Sequence, residues 1–247
     1  MPKPMVFDWI TPDWPAPERV RACVTTRQGG ISSAPYDSMN MGAHVGDSPA
    51  AVAENREHLV AALELPANPL WLNQVHGCRV VEAGAVLPEC EADASVSRAP
   101  GQVCAVMSAD CLPLLLCDRA GSCVAAVHAG WRGLADGVIE ATLESMRIPA
   151  SGILAWLGPA IGPDNFVVGD DVRQRFLRQS SQAETAFRPA GERWLADIYA
   201  LARQRLSGNG VGAIYGGDEC TYRDRERYFS YRRDGTTGRM ASLIWLT

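Results

Sequence analysis

Two apolar runs, residues 112–117 and 122–127, stand out in the hydropathy pattern of this chain, separated by Asp118-Arg119-Ala120-Gly121. A four-residue connection that opens on Asp and closes on Gly has turn composition, so the runs read as the strands of a β-hairpin. With Cys117 set opposite Ser122, counting back along both strands brings Cys111 opposite His128. Directly opposed residues hold their Cβ atoms about 4.5–5.5 Å apart, so this register joins a thiol and an imidazole at the open end of the hairpin. A one-residue slip would place them on opposite faces.

Elsewhere the pattern predicts strands at 20–26, 79–83, 153–157, 211–215, 227–231 and 240–246. Helices are expected from Pro49, where Ser48 caps and Val52, Leu59, Val60 and Leu63 share a face; over 134–146; from Asp170 or Asp171 through Gln179; and over 194–206. His58 on the first helix reads as a packing or surface residue. Residues 31–45 and 180–192 read as loops. The first is long enough to suggest a functional loop, and its polar members are candidate substrate contacts. His76, in Asn73-Gln74-Val75-His76-Gly77, lies at a sharp junction between extended segments. Strands outnumber helices without regular alternation. The expected architecture is therefore α+β: one domain over residues 1–247, with mixed β-sheets flanked by helices and the site at the open end of a central hairpin.

Composition narrows the chemistry. The chain is 47% hydrophobic with no apolar run near membrane-span length, and its first residues carry no secretory hydrophobic core. A cytoplasmic protein that does not engage a membrane is expected. Net charge is −5 with no basic block, which argues against a nucleic-acid partner and for small molecules. Eight cysteines without any Cys-x-x-Cys pair argue against a zinc ribbon or thioredoxin motif. There is no GxGxxG after a strand and no P-loop.

His76, Cys111 and His128 are the smallest set that makes a catalytic zinc site, since three protein ligands leave a fourth position open. The same atoms equally suit a metal-free Cys nucleophile with a His base, as in hydrolases and amidases. Asp110 is placed to orient a histidine, contact substrate or cap its turn. Ala129–Gly133 (AGWRG) opens a helix, where unpaired amides and the Arg132 fork suit an anion such as phosphate, or where the glycines simply allow close packing.

The stretches TTRQGGISSAPYDSMNMGAHVGD, NQVHG, ADCLPLLLCD, VHAGWRG, LGPAIGP and YFSYRRDGTTGRMASLIWL closely resemble, in that order, the signatures of the YfiH-like laccase-domain family. The resemblance implies an α+β domain with a zinc held by His76, Cys111 and His128. It also implies phosphorolysis of purine nucleosides (adenosine, inosine, guanosine, methylthioadenosine), with adenosine deamination in some members. The older family label is copper polyphenol oxidase, and a third name, peptidoglycan editing factor, would place the role in the fidelity of wall-precursor synthesis; the alternative to an enzyme is a module that binds metal and nucleoside without turnover. Four histidines are too few for a multicopper cluster, which makes copper the less fitting metal. For a phosphorylase, Arg132 and Arg27 are the phosphate candidates. Asn40, Gln74 and His44 are candidates for ribose or base, and Asp110 for substrate. Arg232, Arg233 and Arg239 read as surface ion-pair partners.

Overall fold

A computed structural model describes residues 7–247. Its central element is the predicted hairpin, Leu112–Asp118 and Val124–Ala129, inside a six-stranded mixed sheet. The order is Ala213–Gly216, Ile153–Leu157, Leu112–Asp118, Val124–Ala129, Ala94–Ser97, Val80–Glu82. The outermost pair at each end is parallel and the pairs between are antiparallel. A second, antiparallel sheet runs Trp9–Ile10, Val20–Thr25, Met240–Leu246, Val103–Ser108. A small third sheet joins Phe187–Ala190, Arg193–Ala196 and Val167–Val168. The α+β expectation holds.

Alternation along the hairpin explains the layering. Leu112, Leu114 and Leu116 point to one face, where they meet Leu134, Val138, Ile139 and Leu201 of the flanking helices. Leu115 and Cys117 point to the other, against Val24, Val106 and Ile244 of the second sheet. The far side of that second sheet is covered by Leu59 of helix Pro49–Ala62, with Met39 and Met41 from the long loop. Both hairpin strands are therefore apolar on both faces, which is why they read as continuous runs.

The hairpin register differs from expectation by two residues: Cys117 pairs with Val124, and Pro113 with His128. The cause is Asp118. It ends its strand instead of opening the turn, and its carboxylate accepts from the amides of Ser122 and Cys123 at 2.6 and 2.8 Å and from the Ser122 hydroxyl at 2.8 Å. A two-residue shift preserves facing, so Cys111 and His128 still share a face, as diagonal neighbours.

Other elements also differ. The expected 134–146 helix is two, Trp131–Asp136 and Val138–Met146, broken at Gly137 with φ 105°. The start of the 194–206 helix is the strand Arg193–Ala196; the Asp197 carboxylate accepts from the Ala200 amide at 2.9 Å and starts the helix Ile198–Gly208. The 180–192 loop holds the 3-10 turn Ser181–Ala186 and the strand Phe187–Ala190. Residues 227–231 form no strand. Tyr228 and Phe229 are buried against Ala109 and Met240, and Ser230 caps the short helix Tyr231–Asp234. Among the described residues, no helix is long and apolar enough to cross a membrane.

Candidate metal centre

The face that Cys111 and His128 share is the one packed against the second sheet, so both emerge where the two sheets open. Met107, Ser108 and Ala109 enter the same cleft from the end of the neighbouring strand, and Arg239 from just before Met240. His76 comes from its loop. One ligand atom from each of His76, Cys111 and His128 lies within 4.8 Å of the others. Cys111 Sγ is 3.8 Å from His76 Nε2, and the imidazoles stand edge to face at 4.8 Å between centroids. His128 is buried, while His76 and Cys111 are partly open to the cleft.

Asp93 organises the cluster. Its buried carboxylate meets His128 Nδ1 at 2.8 Å, which leaves Nε2 for the site. It also accepts from the amides of Val75, His76 and Gly77 at 3.3, 2.9 and 2.7 Å. Three amides turned to one anion form a nest, and it holds His76 in the left-handed region at φ 62°. Sequence reading missed Asp93, since an acidic residue before a buried strand carries no signal of what it bonds.

Two glycines make room. A Cβ built on Gly133 would lie 2.6 Å from the Gly77 carbonyl, so Gly133 lets the His76 loop pack on the helix start. A Cβ on Gly130, opposite Cys111, would lie 2.9 Å from His76 Cδ2, 3.1 Å from Cys111 Sγ and 3.5 Å from His128 Cε1. It would fill the space the three donors surround.

The electrostatics suit a cation there. Burial pushes the Cys111 thiol up, but the charge of His128 and hydrogen bonds from both imidazoles outweigh it and draw it down to about 6. Burial favours neutral His128, but the Cys111 charge and the Asp93 bond outweigh that and lift it to about 9. Each group thus favours the charged form of the other. A bound metal would displace the imidazolium proton. A thiolate and two imidazoles around a space cleared by Gly130 fit zinc.

The other candidates divide. Arg132 lines the cleft, stacks 4.5 Å from the Trp131 ring, and among the described residues its guanidinium has no hydrogen-bond or ion-pair partner. Its helix has six residues, too short for the terminus itself to hold an anion, so the side chain is what remains. His44 and Gln74 also line the cleft. Gln74 exchanges bonds with the Met107 backbone at 2.8 and 2.7 Å, tying the His76 loop to the second sheet. Burial and the nearby Arg239 hold the His44 imidazole below its usual value. Asp110, at φ 93°, borders the cleft, but its oxygens accept from the Thr221 hydroxyl and the Arg232 amide, each at 2.6 Å.

Asn40 and Arg27 lie outside the cleft lining. Asn40 is fully buried, bonded to Gly42, Asp47 and the Arg239 amide. Arg27 donates to the carbonyls of Asp37 and Arg225, pairs with the Asp37 carboxylate at 3.3 Å and stacks 4.8 Å from Phe229. Arg233 does pair with Asp234, but Arg232 and Arg239 reach the cleft, as does Tyr231. A groove of about 550 Å³ elsewhere, beside Trp9, Trp14 and Trp245, contains no histidine.

Residues 21–247 match the family described as multi-copper polyphenol oxidoreductase laccase. The chain is 57% identical over 242 residues to a purine nucleoside phosphorylase of Pseudomonas aeruginosa, covering 96% of this chain and 98% of that one. It is also 57% identical over 238 residues to the purine nucleoside phosphorylase YfiH of Escherichia coli, with the same coverage. Among solved structures, a Neisseria meningitidis protein superposes with a TM-score of 0.92 at 52% identity, covering 96% of this chain and 98% of the other. YlmD of Geobacillus stearothermophilus superposes at 0.90 and 30% identity, covering 98% and 99%.

Proposed function

Because this chain belongs to the multi-copper polyphenol oxidoreductase laccase family, and is similar over nearly its whole length to members named purine nucleoside phosphorylase, we propose that it cleaves purine nucleosides with phosphate at a zinc site formed by His76, Cys111 and His128. The observation that carries this reading is three donors gathered around the space beside Gly130, next to Arg132, whose guanidinium has no hydrogen-bond or ion-pair partner among the described residues. When bound, the ion supplies a Lewis acid with one coordination position open.

The family name points to copper, but the donors do not. Among the described residues, one group of three or more metal-ligating side chains occurs, where a multicopper oxidase needs several. The cleft does contain a thioether, yet Met107 Sδ is turned to Arg56 Nη2 at 3.9 Å.

In phosphorolysis the C1′–N9 bond breaks, a C1′–O bond to hydrogenphosphate forms, and the purine leaves with the electron pair and takes the proton that the phosphate gives up. Arg132 holds the phosphate and the cleft walls orient the nucleoside. Adenosine, inosine, guanosine and methylthioadenosine are the proposed substrates. Deamination of adenosine at the same site would release inosine and ammonia without using phosphate; Asp93 and Asp110, the carboxylates beside the cluster, both meet protein partners.

The test is incubation with a nucleoside panel, with and without phosphate, followed by chromatography. Free base and ribose 1-phosphate, formed only with phosphate, are expected. Ribose released without phosphate would make the protein a hydrolase, and inosine accumulating from adenosine a deaminase. Copper-dependent oxidation of phenols without nucleoside cleavage would make it an oxidase.

A further inference from the structure

The cleft has two chambers that meet at the His76–Cys111–His128 cluster. One, of about 250 Å³, is walled by Trp131, Ile161, Phe166 and Ile198. The other, of about 450 Å³, is walled by His44, Gln74, Ser108 and Arg239. Cys111, His76, Arg132 and Tyr231 border both, and Tyr231 stands 58% exposed at their common rim.

Their chemistries differ. Two polar side chains belong to the first chamber alone, and both face protein: Asp110 accepts from Thr221 and Arg232, and Arg232 Nη1 donates to the Val167 carbonyl at 2.7 Å; Arg132, His76 and Cys111 are shared with the second chamber. Arg232 Cζ lies 5.2 Å from the Phe166 ring centroid and Arg132 Cζ 4.5 Å from that of Trp131, so the wall carries two pairs of an aromatic ring and a guanidinium. Such a wall receives a flat, uncharged heteroaromatic ring by stacking and contact. The second chamber carries His44, a serine hydroxyl and Arg239. Arg239 Nη1 is tied to the carbonyls of Thr237 and Gly238, which leaves Nη2 without a protein partner among the described residues. That wall suits a hydrated oxyanion.

We infer that the apolar chamber seats the purine and the polar chamber the phosphate, with the ribose between them at Cys111. The inference rests on the phosphorylase reading and adds an orientation to it. Direct displacement at C1′ puts the attacking oxygen and the departing nitrogen on opposite sides of that carbon, which requires two seats separated by the sugar. Arg132 borders both chambers, and Arg239 becomes a second phosphate ligand in the place sequence reading gave to Arg27.

The experiment measures Michaelis constants for inosine and for phosphate in the wild type, Phe166→Leu and Arg239→Gln, and the binding of free hypoxanthine, without phosphate, by tryptophan fluorescence. Phe166→Leu should weaken inosine and hypoxanthine by about tenfold and change the phosphate constant by less than about twofold. Arg239→Gln should do the reverse. Trp131→Phe, at a partly exposed position, should fold and lose most of the hypoxanthine-induced quench. Hypoxanthine binding that ignores Phe166 and Trp131, or that depends on Arg239 while phosphate does not, would overturn the assignment. A wild type that cleaves no purine nucleoside would defeat the phosphorylase reading instead, and the fluorescence titration still reports separately where the base binds.

Discussion

Asp93 holds His128 twice: its backbone carbonyl accepts the His128 amide at 2.7 Å, and its Oδ1 meets His128 Nδ1 at 2.8 Å. Because the same carboxylate gathers the amides of residues 75–77, one buried anion sets the position of both histidines.

Asp93→Asn should therefore lower zinc affinity by about 10–100-fold, measured by competition with a chromophoric chelator; unchanged affinity would remove Asp93 from the site. The same variant should alter acid stability. Burial raises the Asp93 carboxyl, but the bond and charge of His128 and the amides of Gly77 and His76 outweigh it and hold it below its usual value. A depressed carboxyl contributes stability that is full above its unfolded value of about 3.9 and is lost as pH falls through the lower folded value. Urea midpoints should thus fall in acid for the wild type and fall less for Asp93→Asn, so that the curves converge. Parallel curves would contradict this.

Gly130→Ala tests the space between the donors. Gly130 has φ −60° and ψ 154°, a backbone any residue adopts, so alanine should leave the circular dichroism unchanged. Its Cβ would press on His76 and Cys111, and zinc affinity should fall by at least about tenfold. An alanine variant with normal zinc affinity would mean that the metal binds elsewhere.

Much of this was legible in the sequence because it rests on strong local patterns. Leu112–Asp118 and Met240–Leu246 are apolar on both faces, and Ser48-Pro49 starts a helix by its own chemistry. The His76, Cys111 and His128 trio came from residue type, and survived a two-residue register error because parity was kept. What escaped depends on which amides and side chains a carboxylate bonds, a few residues on for Asp118 and far along the chain for Asp93. Asp118 reset the turn through its carboxylate, and Asp93 bonds across 16 to 35 residues. Arg27 and Arg132 look alike as loop arginines, and only folding separates the one that clamps the Asp37 and Arg225 carbonyls from the one that lines the cleft.

Cys111 and Cys117 flank the same strand but meet different surroundings. In chelated protein, alkylation of Cys111 should rise with pH through a midpoint near 6, as its thiolate forms, and then level off. Cys117, which burial pushes up to about 12, should stay unreactive through pH 9 in the folded state. Cys111→Ala should lose zinc and turnover with the fold intact. Cys117→Ala should keep both at a cost of about 1 kcal/mol in stability. Zinc retained by Cys111→Ala with activity gone would make the cysteine a nucleophile.

The two loop arginines should likewise separate. Arg132→Ala should raise the Michaelis constant for phosphate more than that for nucleoside, with an unchanged melting temperature. Arg27→Ala should lower the melting temperature, because it frees the Asp37 and Arg225 contacts, and leave the phosphate constant unaltered. The opposite pattern would return phosphate to Arg27.

The most direct measurement is a zinc titration of chelated protein, following the phosphate-dependent release of hypoxanthine from inosine. Turnover should be absent at the start, rise in proportion to added zinc and level off at one equivalent per chain, and Cys111→Ala should give no rise. Full turnover by the metal-free protein, with zinc adding nothing, would contradict the assignment of His76, Cys111 and His128 as the catalytic metal site.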